Sequence, residues 1–190
     1  NSSYDVAFTN NDIRLFNNIS AKKYVAFSHS IQTIEKFIRK GQLLSYLRYK
    51  PKIVLLGNYH SKNRNYLLKL FGTINLKWAV DPLFLRTELN ENLIENRAIF
   101  TSRRDRNLDI LIQLWKKEIF PKNKSVKLYT TPSKLIDNNY NIFERNFGDK
   151  KLLIQDLIKS KVFLIPGHKA ELYCIAAEEA RELCIPIITM

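Results

Sequence analysis

The sequence is built around residues Phe163–Met190, which read FLIPGHKAELYCIAAEEARELCIPIITM. An apolar run over 162–165 ends at a Pro-Gly pair, an alanine-rich segment with helical spacing follows, and a second apolar run over 185–189 closes the unit. This order predicts a strand, a loop, a helix and a second strand. A crossover this short requires two parallel strands with the helix packed over them in the right-handed sense. The loop at 167–171 therefore lies at the carboxyl end of a parallel strand, where open α/β sheets bind ligands.

Strand and helix patterns alternate along the rest of the chain. Apolar runs predict strands over 4–9, 24–27, 53–56, 76–80, 98–101 and 126–129. Helical spacing predicts helices over 31–49, 61–71, 108–119 and 152–158, and residues 131–147 are interpreted as a loop with at most a short helix. The polar segment 86–97 is interpreted as a linker or a solvated helix between two halves. The pattern predicts an α/β fold with two Rossmann-like lobes.

Composition limits the class of protein. The chain has 190 residues, 45% of them hydrophobic, and no apolar run long enough to cross a bilayer. It starts without Met, shows no signal-peptide pattern and stops at the end of a predicted strand, so we expect a fragment of a longer protein. Its two cysteines form no Cys-x-x-Cys pattern, which argues against a zinc site or a disulfide framework and fits a reducing cytoplasm.

The formal net charge of +13 implies an anionic partner. Nucleic acid, an anionic membrane surface and a phosphorylated small molecule all satisfy it, and charge alone does not choose among them. One predicted helix, within residues 32–52, is strongly basic, and it either lies against anionic lipid headgroups or is the solvated face of a core helix. Its cations are Lys36, Arg39, Lys40, Arg48, Lys50 and Lys52.

Two glutamates, Glu171 and Glu179, carry a resemblance to a known family. The large "group 1" retaining glycosyltransferases of GT-B fold have Pro-Ser, then Glu-x-Phe-Gly, then Glu-Ala, and close this region with Gly-x-Pro-Val-Val. The residues in the same register here are Pro166-Gly167, Glu171, Tyr173-Cys174, Glu179-Ala180 and Cys184-Ile185-Pro186-Ile187-Ile188. The departures from the family's pattern are Gly167 for serine, Tyr173 for phenylalanine, and Cys174 and Cys184 for two glycines.

A basic turn at 101–107, Thr-Ser-Arg-Arg-Asp-Arg-Asn, resembles a second motif of that family. It lies between a predicted strand and the amino end of a predicted helix, where a phosphate meets free amide groups and the positive end of the helix dipole. The run Arg106-Asn107-Leu108-Asp109 aligns with the family's Lys-Gly-x-Asp or Arg-Gly-x-Asp, which holds the donor diphosphate. Arg103 or Arg104 would be the second base. The alternative is a solvated loop whose arginines pair with Asp105.

The resemblance implies a GT-B architecture that is incomplete at both ends, with helices on both faces of parallel sheets. Residues 1–85 would be the carboxyl-terminal part of the acceptor-binding lobe, 86–97 the linker and 98–190 the donor-binding lobe. The implied reaction moves a hexose-like sugar from a nucleotide diphosphate to a hydroxyl with retention, without a metal or a cofactor, in polysaccharide or glycolipid synthesis. The implied partners are a nucleotide sugar and a polysaccharide or lipid-linked acceptor. The expected location is the cytoplasm, with peripheral contact at the inner face of an anionic membrane through residues 32–52.

The resemblance also implies the site residues. The expected catalytic residues are His29, which matches a histidine that the family places at a strand end in its amino-terminal lobe, and Glu171, which would bind sugar hydroxyls. Glu179 would bind the ribose of the nucleotide. For His29 the alternative is a histidine satisfied by a backbone carbonyl. The expected donor-binding residues are Ser102, Arg103, Arg104, Arg106, Gly167, His168, Lys169, Glu171 and Glu179.

Two other classes of protein stay open at this point. A basic nucleic-acid-binding module would explain the charge, although the sequence contains no RNP-like, KH or zinc-finger pattern, and we expect no nucleic acid partner. A non-catalytic GT-B-like interaction domain would explain the two replaced glycines. The presence of both Glu171 and Glu179 argues for an enzyme instead.

Overall fold

The computed structural model describes residues 3–30, 33–63, 66–76, 78–88, 90–133, 135–168 and 173–189. Within them the chain divides into two units, each with its own parallel sheet. Unit 1 covers Asn1–Trp78 and includes Tyr173, and unit 2 covers Ala79–Lys169 and Cys174–Met190. The prediction of an α/β fold with two parallel sheets is confirmed.

Unit 1 contains a four-stranded parallel sheet whose strands follow chain order. The strands are β1 (Tyr4–Asn10), β2 (Ala21–Phe27), β3 (Lys52–Leu55) and β4 (Thr73–Asn75). The helices are α1 (Ile34–Arg39), α2 (Leu43–Tyr49) and α3 (Asn58–Asn63), with 3-10 turns at Ile13–Asn18 and Tyr66–Lys69. Alternation along β3 separates two faces of the sheet, because successive side chains of a strand point to opposite sides. Ile53 and Leu55 pack with Tyr46 of α2, whereas Val54 packs with Val25 on the other face.

Three predicted elements of unit 1 differ from the structure. The helix predicted over 31–49 is two helices, α1 and α2, because Gly41 adopts a φ of 63° between them. Within the helix predicted over 61–71, the described residues form the end of α3 and a 3-10 turn at Tyr66–Lys69. The turn buries Leu68, whereas Tyr66 and Leu70 are exposed. The strand predicted over 76–80 is wrong: the strand is β4. The amide of Leu76 still donates to the carbonyl of Leu55 in β3, and Trp78 and Val80 pack in two different core clusters.

Unit 2 contains a five-stranded parallel sheet in the order β7-β6-β5-β8-β9. The strands are β5 (Glu95–Phe100), β6 (Lys127–Thr130), β7 (Ile142–Glu144), β8 (Ser160–Ile165) and β9 (Ile187–Thr189). The helices are α4 (Pro82–Leu85), α5 (Leu108–Leu114) continued by a π-helical turn (Trp115–Ile119), α6 (Lys150–Ile158) and α7 (Ile175–Glu182), with 3-10 turns at Glu91–Leu93 and Asn138–Tyr140. Phe163 and Leu164 are neighbours in β8, yet they lie in two different core clusters. The sheet is therefore covered on both faces, by α6 and α7 on one side and by α5 on the other.

Three predicted boundaries or segments from residue 78 onward differ from the structure. The division between the units falls after Trp78 rather than after residue 85, because Val80 and Phe84 pack into a core of unit 2. The segment 86–97, interpreted as a linker, contains a 3-10 turn and the first residues of β5. The loop predicted over 131–147 contains the edge strand β7, which is too short to show a periodic pattern.

Buried charges attach α6 to the sheet of unit 2. Arg97 of β5 is 4% exposed, and its Nε donates to the hydroxyl of Ser160 at 3.1 Å. Its guanidinium lies 3.6 Å from Asp156 of α6 and 4.5 Å from the ring centre of Tyr129. Arg145, also buried, approaches the second oxygen of Asp156 at 3.5 Å. Two of the chain's many cations are thus structural, because a buried charge must be paired to be tolerated.

The carboxyl end of α7 shows why glycine would be favoured at one of the two positions where this chain has a cysteine in place of a family glycine. Cys184 has a φ of 53°, in the left-handed region. Its amide donates to the carbonyl of Arg181, and the next amide, of Ile185, donates to the carbonyl of Ala180. These two bonds form a Schellman motif, which favours glycine at the left-handed position. The other cysteine, Cys174, has a φ of −94°, which any residue adopts.

We expect Cys184→Gly to stabilise the protein by about 0.5 to 1 kcal/mol, because glycine adopts the left-handed conformation without the steric cost of a Cβ. Cys174→Gly is the matched control: it removes the same side chain at an ordinary backbone conformation, and it should not stabilise the protein. Urea unfolding of the two variants under reducing conditions measures the difference. Equal destabilisation by both changes would contradict this account of the helix end.

Candidate functional site

The strand order of unit 2 marks a place where ligands bind in α/β sheets. From β5 the chain runs outward through β6 to β7, then crosses back to place β8 on the other side of β5. The direction of winding therefore reverses between β5 and β8, and such a topological switch point opens a crevice at the carboxyl ends of the strands. The register pairs Ala98 with Val162 and Ile99 with Phe163, so both strands end at the same edge. The loops that leave this edge are 101–107 and the residues from Pro166 onward.

The two loops are held together by side chains that the sequence singled out. A guanidinium nitrogen of Arg106 lies 3.0 Å from Nδ1 of His168. Because arginine has no acceptor, Nδ1 must accept this hydrogen bond, so the proton of the neutral ring lies on Nε2. The side-chain amide of Asn107, a residue with a φ of 62°, donates to the carbonyl of Gly167. Arg106, Gly167 and His168 are thus brought together by contacts between the two loops.

The other predicted residues of the basic turn have different partners. Ser102 is 9% exposed, and its carbonyl accepts a hydrogen bond from the hydroxyl of Thr131 at 2.8 Å. Arg103 is exposed and pairs with Asp105 at 3.1 Å, which is the pairing expected of a solvated loop. Arg104 lies 3.4 Å from Asp109 and also donates to the carbonyl of Ser133 at 3.4 Å. Exposed pairs of this kind are weak, so a polyanion can recruit both guanidinium groups at small cost.

Glu179 is a half-buried carboxylate on α7. Burial raises its pKa, and the negative charge of Asp81 adds to this effect, whereas Lys150 and Arg145 oppose it. Lys150 is the first residue of α6, and its ammonium group lies 2.6 Å from Asp81, the residue that caps α4. Three helices therefore contribute to the charge around Glu179.

Glu178, the neighbour of Glu179, has a different environment. Its carboxylate forms an ion pair with Arg181 one helical turn further along α7. Successive residues of a helix point about 100° apart, so adjacent glutamates face different surroundings. The contrast makes Glu178 a control residue for any role assigned to Glu179.

His29 belongs to unit 1, where it follows β2. Its backbone amide donates to the side-chain oxygen of Asn11 at 2.8 Å, and its ring Nε2 lies 3.4 Å from the side-chain oxygen of Asn10. The ring is exposed and lies 6.0 Å from the ring centre of Trp78. Since Asn10 ends β1, His29 stands at the carboxyl edge of the unit 1 sheet, and its ring contacts the side chain of Asn10.

Two predicted site residues, Lys169 and Glu171, lie outside the described residues. Sequence reasoning left three described residues out of its site: Asn107, Lys150 and Asp81. The left-handed backbone of Asn107 could have been predicted from the sequence, because Asn107 occupies the glycine position of the family motif. Lys150 and Asp81 had none, since they are far apart in sequence and approach Glu179 only after folding.

The described ranges lack two further features. Among these residues, no group of three or more His, Cys, Asp or Glu side chains could hold a metal ion. In the same part of the chain, no helix is both long enough and apolar enough to span a membrane.

Comparison with known proteins places the fold. No family model matches the chain, and no curated protein matches its sequence. Solved structures of GT-B glycosyltransferases do match it, at 11 to 13% sequence identity in the three cases that follow. At this identity the similarity concerns the fold, and the chain spans about half the length of these structures or less.

Three of these structures illustrate the similarity. An E. coli trehalose-6-phosphate structure with bound UDP-2-fluoro glucose has a TM-score of 0.69 at 11% identity, covering 100% of this chain and 58% of that one. S. aureus TarM in complex with Fondaparinux, α-GlcNAc-glycerol and UDP has a TM-score of 0.68 at 13% identity, covering 92% and 38%. Sucrose-phosphate synthase from Thermosynechococcus elongatus has a TM-score of 0.66 at 11% identity, covering 98% and 56%. The two sheets of this chain therefore have the GT-B fold that the sequence resemblance implied.

The environment of Glu179 gives a prediction about pH. Its pKa is raised in the folded protein, so the folded state holds the proton to higher pH than the unfolded state does. Stability from this group is therefore lost as the pH rises from the usual value of 4.5 through the raised pKa. We expect Glu179→Gln to gain free energy of unfolding relative to the unsubstituted protein over that window.

Urea unfolding at a series of pH values measures this difference. Glu118→Gln is the control, because it removes a carboxylate from an ion pair at the surface of the same unit. The prediction would be contradicted if the difference in free energy of unfolding between Glu179→Gln and the unsubstituted protein stayed constant with pH, or if the variant lost stability relative to the unsubstituted protein as the pH rose.

Proposed function

We propose that this protein transfers a sugar from a nucleotide-diphosphate donor to a hydroxyl acceptor, with retention at the anomeric carbon and without a bound metal. The contact between Arg106 and His168 carries the proposal, because it joins the two loops at the switch point of unit 2. The GT-B fold of the chain supports it, and so does the binding of UDP or a UDP-sugar by two of the similar structures.

The chemistry that the reaction requires is stabilisation of a departing diphosphate. Preorganised cations at the place where negative charge develops are an effective way to lower such a barrier. Arg106 is partly buried and fixed by His168, whereas Arg103 and Arg104 are exposed and held by weak ion pairs. We assign Arg106 to the diphosphate directly, with the other two guanidinium groups released from their carboxylates when the donor binds.

We assign the ribose of the nucleotide to Glu179. A carboxylate accepts hydrogen bonds from two neighbouring hydroxyl groups at once, which suits the paired hydroxyls of a ribose. The group accepts both bonds only when it is ionised, and burial works against ionisation. Lys150 counters this effect, since its positive charge lowers the pKa of Glu179.

The remaining assignments follow from the resemblance. Glu171 and Lys169 would contact the transferred sugar and the diphosphate, together with Ser102 and the backbone of Gly167. His29, at the carboxyl edge of the unit 1 sheet, would lie near the acceptor hydroxyl. The setting that we propose is polysaccharide or glycolipid synthesis in the cytoplasm, at the inner face of a membrane, where part of the basic segment 32–52 would meet anionic headgroups.

The first test concerns the basic turn. We expect Arg106→Ala to weaken binding of a nucleoside diphosphate by about tenfold to a hundredfold, because a charge-assisted hydrogen bond contributes roughly 1.5 to 3 kcal/mol. Arg103→Ala should cost less, since its side chain is 72% exposed and screened by solvent. Calorimetric titration with UDP, GDP and ADP, continued with the tightest of the three, measures both effects.

Lys122→Ala is the matched control, because it removes an exposed cation from the same unit. Unchanged affinity in Arg106→Ala would remove the basic turn from the site. If binding ignores the nucleotide and instead falls with salt as it does for a polyphosphate, the nucleic-acid alternative would gain support.

The second test separates the adjacent glutamates of α7. We expect Glu179→Gln to weaken binding of the same nucleoside diphosphate, because the amide has one acceptor oxygen and no charge, whereas the carboxylate accepts a ribose hydroxyl on each of its two oxygens. Glu178→Gln should leave binding unchanged, since its carboxylate pairs with Arg181. Titration of both variants with the nucleoside diphosphate and its 2′-deoxy analogue measures the role of the ribose. Equal damage from the two substitutions would show that the motif register is wrong.

A further inference from the structure

Unit 1 contains a concave surface at the carboxyl end of its sheet. The cavity has a volume of about 520 Å³, which is the size of pockets that hold small molecules. It is lined by Asn11, Asp12, Arg14, Arg39, Lys40, Gly41 and Gln42, from the loop after β1 and from the turn between α1 and α2. Ligands of parallel α/β sheets gather at this edge, so the position by itself points to a binding role.

A buried amide connects the cavity to His29. Gln42 is 2% exposed, and its side-chain nitrogen donates to the carbonyl of Asn11 at 3.0 Å. The side-chain oxygen of Asn11 accepts from the amide of His29 at 2.8 Å. The turn between α1 and α2 is therefore fixed to the same strand edge that carries the proposed acceptor histidine.

The cavity has an excess of positive charge. Arg14 donates two hydrogen bonds, of 2.9 and 2.7 Å, to the carboxylate of Asp12, so the negative charge of Asp12 is neutralised within the cavity. These bonds lower the pKa of Asp12, and the charge of Lys40 adds to the effect. Among the residues that the structure describes, Arg39 and Lys40 have no ion-pair partner.

Lys36 of α1, which precedes these two cations in the chain, also experiences the excess of positive charge. The pKa of Lys36 is lowered, first by burial and then by repulsion from Lys40 and Arg39. Two adjacent cations that repel a third are a cost to the fold unless an anion joins them. A guanidinium and an ammonium group that line the same cavity suit a phosphate, which accepts hydrogen bonds on several oxygens.

We propose that this cavity binds a phosphate group of the acceptor, so that the molecule receiving the sugar is a phosphate-bearing one. The inference rests on the proposed function, because it names the acceptor class of that reaction. The cavity holds the phosphate at Arg39 and Lys40, and the hydroxyl to be modified lies toward His29.

The arrangement of the other cations favours a local phosphate over a broad membrane surface. Lys36 donates to the hydroxyl of Ser30 at 2.6 Å, and Arg48 lies over the ring of Tyr49 at 5.3 Å. Lys50 and Lys52 line a separate cavity together with Lys22 and Lys23. The basic segment is therefore divided among different surroundings, and a flat anionic surface meets only part of it.

The test uses glycerol 3-phosphate as the probe and glycerol as its uncharged counterpart. NMR titration of the protein should show saturable shifts at the amides around 39–42 with the phosphate and none with glycerol. The double substitution Arg39→Ala, Lys40→Ala should weaken this binding about tenfold or more. Lys22→Ala, Lys23→Ala removes the same charge from the separate cavity of unit 1 and should leave the binding unchanged.

Two further arms separate the sources of the phosphate and the two proposals. Phosphatidylglycerol vesicles that compete with the soluble probe would assign the phosphate to a lipid-linked acceptor, and absence of competition would assign it to a soluble one. Nucleoside diphosphate binding is measured on the same double variant, and it should be unchanged. Unchanged nucleoside diphosphate affinity in Arg106→Ala, with the probe still bound at 39–42, would overturn the proposed donor site and leave the phosphate site in place. No saturable shift with the probe, or equal loss of its binding in both double variants, would overturn the phosphate site itself.

Discussion

The parallel pairing of β5 with β8 is the constraint on which unit 2 depends. The two strands are far apart in sequence, yet their pairing aligns Ile99 with Phe163, both fully buried. Because parallel strands end at a common edge, this register brings the basic turn and the Pro-Gly loop together. The contacts of Arg106 with His168 and of Asn107 with Gly167 follow from it. A shift in register by one residue would send every buried side chain of β8 to the opposite face.

The positive charge of the chain has several physical roles. Arg97 and Arg145 are buried around Asp156, where they attach α6 to the sheet. Arg103 and Arg104 are exposed in weak pairs that a ligand can replace. Net charge alone therefore said little about function, because cations that hold the core and cations that can meet an anion count equally in the sum of +13.

The glycine positions of the resemblance show how a departure from a family pattern can be physically consistent. Cys184 keeps the left-handed backbone that glycine would adopt, with both hydrogen bonds of the helix end in place. Asn107 does the same in the basic turn, and asparagine tolerates this conformation better than most residues. Cys184 and Asn107 thus keep the backbone geometry that glycine would have at these two positions. These two substitutions are therefore not evidence that the protein has lost an activity.

The sequence by itself determined the α/β class, the parallel strands of 163–190 and most long elements, because buried strands and amphipathic helices carry strong periodic signals. It missed the short edge strand β7 and placed β4 wrongly at 76–80, since a few residues at a sheet edge have no periodicity to detect.

For the site, the sequence supplied the basic turn and Glu179 through local motifs. Tertiary structure alone decided the Arg106–His168 contact, the position of Lys150 and Asp81 near Glu179, and the Gln42–Asn11–His29 connection. The reason is physical: each joins residues far apart in the chain, and their approach depends on strand order and register, which local patterns do not encode.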